Sequence, residues 1–479
     1  MLVKTPLRAA DGWEAKFSML LVASPRQQKT EIDRNENHQK GRFGTERASH
    51  DGTLDPHMRL AFLVLDGGLG GHTRTAVAIA EGFRARGHEI TFLLGRASKE
   101  DVVAKAGFKF EKIDHGFKTG LTAALDRLKP DALHTFSTLG LTEAIQYGKQ
   151  KNLGVVYTRC GGPPVKEPLE VKMMKALKLR RLTCLSVENR AELIEKSAAR
   201  PEDILVLPAR IDVKAFRDRQ ETVKWAAFRQ RFNLGDAPIL LRIARIGPAY
   251  EDTIRMGIEA AQLLNAEGIR MVFVHIGYAD VPTIAESIYA QVKAANDAAG
   301  TTIAVSDPEV SKDAQSHVGM ASAVVGMGRS AFEGMASGRP TLVVGKVGFG
   351  GLVLPDRVET LAAYNFSGRD GNAPATREES LSQLVATVRR LLTEPEFAKT
   401  AGEFAAKYAD ETLDVRYSLD AYERLYQDRD PAQWPSDGEI KAAMKFAILK
   451  RSMRELIPRS LRAQISGLIN LRKKASVPE

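Results

Sequence analysis

The chain has 479 residues, 44% hydrophobic and 27% charged, the proportions of a globular protein with two or three domains. Two cysteines, Cys160 and Cys184, exclude a disulfide framework and a cysteine-built metal cluster, and the longest apolar runs, FSMLLVA and LAFLVL, fall far short of the roughly 20 residues that cross a bilayer. The formal charge of +10 bears on association rather than on fold, so its location matters more than its size.

Residues 1–57 mix charges, Gln, Asn and Gly without periodicity and read as a disordered extension, with Met58 as a second possible start. No secretory signal pattern opens the chain, and the cysteine usage suits a reducing cytoplasm. From Met58 onward short β-rich runs alternate with helical ones. RLAFLVL, HEITFLLG, DALHTF and GVVYTR read as strands, and TRTAVAIAEGFRARG, LTAALDRLK and TEAIQYGKQKN as helices between them. The alternation restarts with PILLRIARI and continues through RMVFVHIG, TTIAVS, AVVGMG and PTLVVG, separated by TIRMGIEAAQLLNAEG, TIAESIYAQVKAANDAAG and AFEGMASG. Such a pattern predicts βαβ units around parallel sheets. Two α/β halves follow, residues 58–213 and 214–430, with a helical tail at 431–479. Ligands of open parallel sheets bind beyond the strand carboxyl ends, so the cleft between the halves is the expected site.

The stretch GMGRSAFEGMASGRP, Gly326 to Pro340, sets a glycine turn before a short helix. Free backbone N–H groups at a helix N-terminus suit an anion, and Glu333, one turn in, suits neighbouring hydroxyls. A nucleotide offers both. Ser330-x-x-Glu333 is equally the spacing of a capping box, in which the two side chains only satisfy backbone donors.

These pieces, in their order and spacing over roughly residues 58 to 430, resemble the GT-B fold glycosyltransferases of family 4. The fragments that carry the likeness are LDGGLGGHTRTAVAIAEGFRARGHEIT, DALHTFS, VLPARIDVKAF, LLRIARIGP and RSAFEGMASGRPTLVVG. The resemblance implies two Rossmann-like domains with parallel sheets facing an interdomain cleft, the second holding a nucleotide-sugar and the first most of the acceptor. It implies that Glu333 bridges the ribose hydroxyls, that Arg329 and Ser330 face the phosphates, and that Arg245 meets the donor diphosphate, where a cation offsets the charge of the leaving nucleotide. His134 is the histidine that it places near the reacting centre.

The chain departs from that family at three places. Tyr250 or Glu251 stands where a lysine is usual, Val325 where the first glutamate of Glu-x7-Glu would be, and Phe136 where many members carry a second histidine. The glycine loop after the first strand is no dinucleotide fingerprint, because Gly68-x-Gly70-x-x-Thr73 lacks the third glycine. Under the resemblance, Gly68, Gly70, Gly71 and His72 line the cleft. Thr158 and Arg159, in YTRCGGPP, mark an acceptor-side rim or else a solvated loop. No Asp-x-Asp pattern ends a strand, so no metal and no cofactor is expected, the nucleotide-sugar being a substrate.

The tail is basic. From Ser436 to Glu479 ten basic residues stand against four acidic ones, which accounts for +6 of the chain's +10, and apolar residues recur at helical spacing on both sides of Pro458. Residues 436–474 are thus candidates to lie on an anionic membrane surface, or to pack on the enzyme. The expectation is a metal-independent, retaining glycosyltransferase of cell-surface polysaccharide synthesis, cytoplasmic or peripheral on the inner membrane face. Its partners would be a nucleotide-sugar donor and a glycan or lipid-linked acceptor, with no nucleic acid. A nucleotide-sugar 2-epimerase and a degenerate GT-B binding or scaffold partner are the alternatives.

Overall fold

The computed structural model describes residues 57–65, 71–95, 101–113, 117–160, 168–208, 211–299, 302–369, 374, 376–430 and 434–456. β1 (Arg59–Val64) is buried at every position after Arg59, which is why it reads as an unbroken apolar run rather than an alternating one. It lies between β2 (Glu89–Gly95) and β4 (Ala132–Thr135), with Phe62 opposite both Phe92 and His134. β3 (Lys109–Ile113) lies outside β2, and β5 (Gly154–Arg159), β6 (Leu182–Cys184) and β7 (Ile204–Val206) continue beyond β4. All pairings in this sheet, ordered β3-β2-β1-β4-β5-β6-β7, are parallel.

The second sheet is formed by β8 (Ile239–Ile243), β9 (Val272–Ile276), β10 (Thr302–Val305), β11 (Ala323–Gly326), β12 (Thr341–Gly345) and β13 (Gly348–Leu352), in the order β10-β9-β8-β11-β12-β13. Only its β12–β13 edge is antiparallel. In each sheet the strand order reverses beside the first strand, at β1–β4 and at β8–β11, and crevices open at such reversals beyond the strand carboxyl ends. Each sheet is covered on both faces by an apolar core.

The chain returns to the first half after the second. Helix Arg416–Gln427 buries Leu419, Tyr422 and Tyr426 against Phe83 and Phe92. Helix Asp437–Leu456 also packs on the first half: Ile440 and Ala443 are buried in the core that holds Met173, Met174 and Leu177 of helix Pro168–Leu177. Within the described part of the tail, the face with Ile440 and Met444 is thus turned to the protein, while Ile448 and Leu449 are 60% and 48% exposed. The second amphipathic stretch, after Pro458, lies outside the described residues. Among the described residues no helix is long and apolar enough to cross a membrane.

Candidate active site

The carboxyl end of β8 carries Arg245. The loops leaving β8 and β9 are held side by side, with Ile246 N donating to Tyr278 O and Asp280 N to Ile246 O, each at 2.9 Å. This sets Arg245 Nη1 2.8 Å from Asp280 and its guanidinium 5.6 Å from the Tyr250 ring centroid. Burial lowers the Arg245 pKa, but Tyr250, Asp280 and Tyr278 outweigh that and leave it raised, so the cation is held charged. With 44% of its side chain exposed it remains open to a ligand.

The adjacent strand, β11, leads into Gly326–Gly328 and helix Arg329–Ala336. Gly328 sits at φ +54°, ψ −121°, a conformation that only glycine adopts readily, and a Cβ at Gly326 would lie 2.7 Å from Ala331 N. The turn is wound tightly on the helix, and it is less open than the sequence suggests. Met327 N donates to Ser330 Oγ (3.1 Å) and Gly328 N to Phe366 O (2.7 Å), so both donors are already used. No capping box forms: Gly328 is the N-cap, and Ser330, inside the helix, donates its hydroxyl to Met327 O at 3.2 Å. Glu333, 5% exposed, instead accepts from Arg329 Nε at 3.0 Å, and Arg329 Nη1 donates to Arg74 O in the first half at 3.4 Å. Burial lowers the Arg329 pKa, against the pull of Glu333.

The first half holds its predicted residues differently. His134 is fully buried, with Nδ1 2.6 Å from the Tyr426 hydroxyl, Nε2 2.6 Å from Thr158 Oγ1, and Phe136 stacked at 4.1 Å. Burial pushes its pKa well below the ordinary value. Both nitrogens are occupied inside the core, so in this structure His134 fastens the returning helix to β4 and presents no free ring nitrogen to a ligand. Thr158, also fully buried, belongs to the same network through Thr183. Arg159 is bound by Glu192 through two bonds of 3.0 and 3.1 Å, which removes it from the role of a solvated rim. Gly68 and Gly70 lie outside the described residues; Gly71 and His72 open helix Gly71–Ala85. His88 is buried, its Nδ1 accepting from Met58 N (3.1 Å) and its Nε2 meeting Glu423 (3.2 Å).

Arg245, Arg329, Ser330 and Glu333 therefore sit at the carboxyl ends of neighbouring strands, whereas His134, Thr158 and Arg159 do not join them. The halves meet around this place through Arg74–Gln315 (2.9 Å), Arg219–Glu81 (3.0 Å) and the two-pronged Arg369–Glu188 pair (2.8 and 2.6 Å). Sequence reasoning missed Asp280, Tyr278 and the strained pair Asn365–Phe366, whose φ angles are +59° and +50° and whose backbone holds Gly328. Only the turn-prone NFSG hinted at the last of these. Among the described residues no group of three His, Cys, Asp or Glu is arranged to hold a metal ion.

Residues 62–175 match the glycosyltransferase family 28 N-terminal domain. The stretch 326–340, which carries the strongest resemblance to family 4, lies outside that match. No curated protein matches the chain. A glycosyltransferase from Rickettsia africae ESF-5 shares the fold at TM-score 0.60 and 14% identity, over 78% of this chain and 99% of that one. Anabaena Alr3699/HepE, solved in complex with UDP and glucose, does so at 0.55 and 12%, over 77% and 99%. A UDP-GlcNAc 2-epimerase from Neisseria meningitidis, bound to UDP-GlcNAc, follows at 0.51 and 10%, over 77% and 99%. The architecture is the GT-B fold, and the similarity to the family 28 N-terminal domain is confined to residues 62–175.

Proposed function

We propose that this chain, with the fold and amino-terminal domain of a GT-B glycosyltransferase, moves a sugar from a nucleotide-sugar donor to a glycan or lipid-linked acceptor. The observation that carries this reading is the placement of Arg245 and the Arg329–Glu333 pair at the carboxyl ends of adjacent strands β8 and β11, with Arg329 reaching Arg74 O of the first half. The diphosphate meets Arg245, and the ribose hydroxyls replace Arg329 on Glu333, which frees that guanidinium for phosphate. These fixed cations offset the charge of the leaving nucleotide without a metal, and transfer retains configuration with the leaving phosphate as base. The family 4 assignment and a role in cell-surface polysaccharide synthesis belong to the same proposal.

The acceptor side is served by the tail helix. Glu170 accepts from Thr138 at 2.6 Å, beyond β4, and pairs with Lys450, which brings the end of helix Asp437–Leu456 to the carboxyl edge of the first sheet. Glu439 and Asp437 are paired to Lys178 (2.7 Å) and Lys149 (2.8 Å). Lys172, Lys175, Lys441 and Lys445 are exposed on helices Pro168–Leu177 and Asp437–Leu456, the second of which also exposes Ile448 and Leu449. Such a surface suits an anionic leaflet carrying a lipid-linked acceptor, with the protein peripheral on the cytoplasmic face.

Incubation with UDP-, GDP-, ADP- and dTDP-sugars, followed by NMR, tests the reading. Slow release of free sugar of retained anomeric configuration from one donor, lost in Arg245→Ala, is expected. An epimerised donor would establish the 2-epimerase instead, and no turnover of any donor would leave only a binding role.

A further inference from the structure

Arg242 lies inside β8 and is 1% exposed. Its neighbours on that sheet face, Leu240 and Phe273, belong to the apolar core under helices Glu251–Ala266 and Pro282–Ala299, so the pattern of the strand calls for an apolar side chain there. Arg242 Nη2 donates to Thr253 Oγ1 at 2.5 Å, and Thr253 Oγ1 donates to Tyr250 O at 2.8 Å, which ties the guanidinium to the first turn of helix Glu251–Ala266. Its Nε and Nη1 are enclosed and meet no acceptor among the described residues. His275, directly opposite on β9, is fully buried, and beyond a weak approach to the Ala244 backbone its ring nitrogens meet no partner among the described residues. Burial pushes it to about 3, so it is neutral at physiological pH and offers Arg242 no charge.

The carboxylates of the neighbourhood are turned elsewhere. Glu251 holds Arg255 at 2.8 Å, Asp252 holds Arg377 at 2.7 Å, and Asp280 holds Arg245 at 2.8 Å. Burial brings Arg242 down to about 10, still well above neutrality, so it stays cationic. An enclosed charge without a counter-ion opposes folding, and its field is felt strongly because the surroundings are poorly polarisable. Tyr250 links Arg242 to the strand end: it is the N-cap of the helix, accepts from the Thr253 hydroxyl through its carbonyl and lies under Arg245.

We propose that Arg242 is a buried positioning charge for a diphosphate, holding the helix N-terminus through Thr253 and adding positive potential where Arg245 meets the phosphates of the donor. The proposal rests on the nucleotide-sugar reading. It explains why a cation is kept in a strand that packing alone would fill with an aliphatic residue, and it places the missing counter-ion on the ligand.

The test is thermal melting of the full chain with and without pyrophosphate at constant ionic strength, repeated with UDP, GDP, ADP and dTDP. Wild-type protein should melt higher with pyrophosphate. Arg242→Met should melt at or above the wild type without ligand and bind pyrophosphate about ten-fold more weakly, while Arg242→Lys, which keeps the charge, should recover most of that affinity. Stabilisation of Arg242→Met by pyrophosphate equal to that of the wild type would overturn the proposal alone. So would equal losses in the Met and Lys variants, since a purely structural role distinguishes neither charge nor ligand. If Arg242→Met does not fold, Arg242→Gln, which keeps a donor for Thr253 without the charge, decides: weaker stabilisation by pyrophosphate than in Arg242→Lys supports the role, and equal stabilisation refutes it. Failure of pyrophosphate and all four nucleotides to stabilise the wild type would overturn the donor reading itself and the proposal with it.

Discussion

Glu333 is satisfied by Arg329 before any ligand arrives, so its substitution has two separable effects. Glu333→Gln leaves the Arg329 guanidinium without its carboxylate and should cost about 1–3 kcal/mol of stability; if Glu333 also binds the ribose, nucleotide affinity falls by a further 1.5–3 kcal/mol, roughly ten- to a hundred-fold. Calorimetric melting beside nucleotide titration separates them, and a stability loss with unchanged affinity makes the pair purely structural. His275 and His134 pose a different question, since burial holds both below the ordinary value of 6.5. In the unfolded chain they protonate near that value, so below it the unfolded state binds more protons and stability falls with pH, by up to about 1.4 kcal/mol per pH unit for each. For His275 the loss continues down to about 3. His275→Met should therefore flatten the acid limb of melting temperature against pH and change nothing in the slope above pH 7. An unaltered acid limb would contradict its neutral burial. At this scale the sequence was least legible: Glu333 and Ser330 were visible as a spaced pair, but only the backbone at Gly328 decides that their box does not form. His134 looked like a site residue because its partner Tyr426 lies 292 positions away.

Elements were legible where one physical pattern dominated. β1, β2, β8 and β9 are long apolar runs because both of their faces are covered, and they were read directly. β3, with the sequence KFEKI, and β13, GFGGL, were missed: the first is a charged and mostly exposed edge strand, and the second is glycine-rich. The tail helix was legible as amphipathic, but its partner was not, because the complementary surface on helix Pro168–Leu177 lies far away in sequence. That packing changes how the tail must be tested. Ile440 is 4% exposed in the first half's core, so Ile440→Ala should cost about 2–5 kcal/mol, and truncation after Pro435 should destabilise the first half rather than spare it. A truncated chain that melts like the full one would contradict the packing. Membrane docking is better probed by Lys172→Glu, Lys175→Glu, Lys441→Glu and Lys445→Glu together, which leave the buried face intact. Wild-type protein should co-sediment with anionic but not neutral liposomes, the more weakly the higher the salt, and this variant should remain soluble. Undiminished sedimentation of the variant would move the contact elsewhere.

For the whole molecule, the division into two α/β halves followed from the restart of strand–helix alternation, and the GT-B architecture followed from the order of its fragments. What joins the halves could not be read, because Arg74–Gln315, Arg219–Glu81 and Arg369–Glu188 each link residues more than a hundred positions apart. Arg74 of the Gly71–Ala85 helix accepts from Arg329 just beyond β11, so a nucleotide bound there would lie against the first half. A donor site at these strand ends requires that nucleotide to bind. Isothermal titration of the full chain with UDP, GDP, ADP and dTDP, and with the corresponding nucleosides, tests it most directly. One diphosphate should bind in the range of about 1 μM to 1 mM. Arg245→Ala should weaken that diphosphate by at least about ten-fold while leaving its nucleoside unchanged. Absence of binding by all four diphosphates, or an equal loss for diphosphate and nucleoside, would contradict the assignment of the second half's strand ends as the donor site.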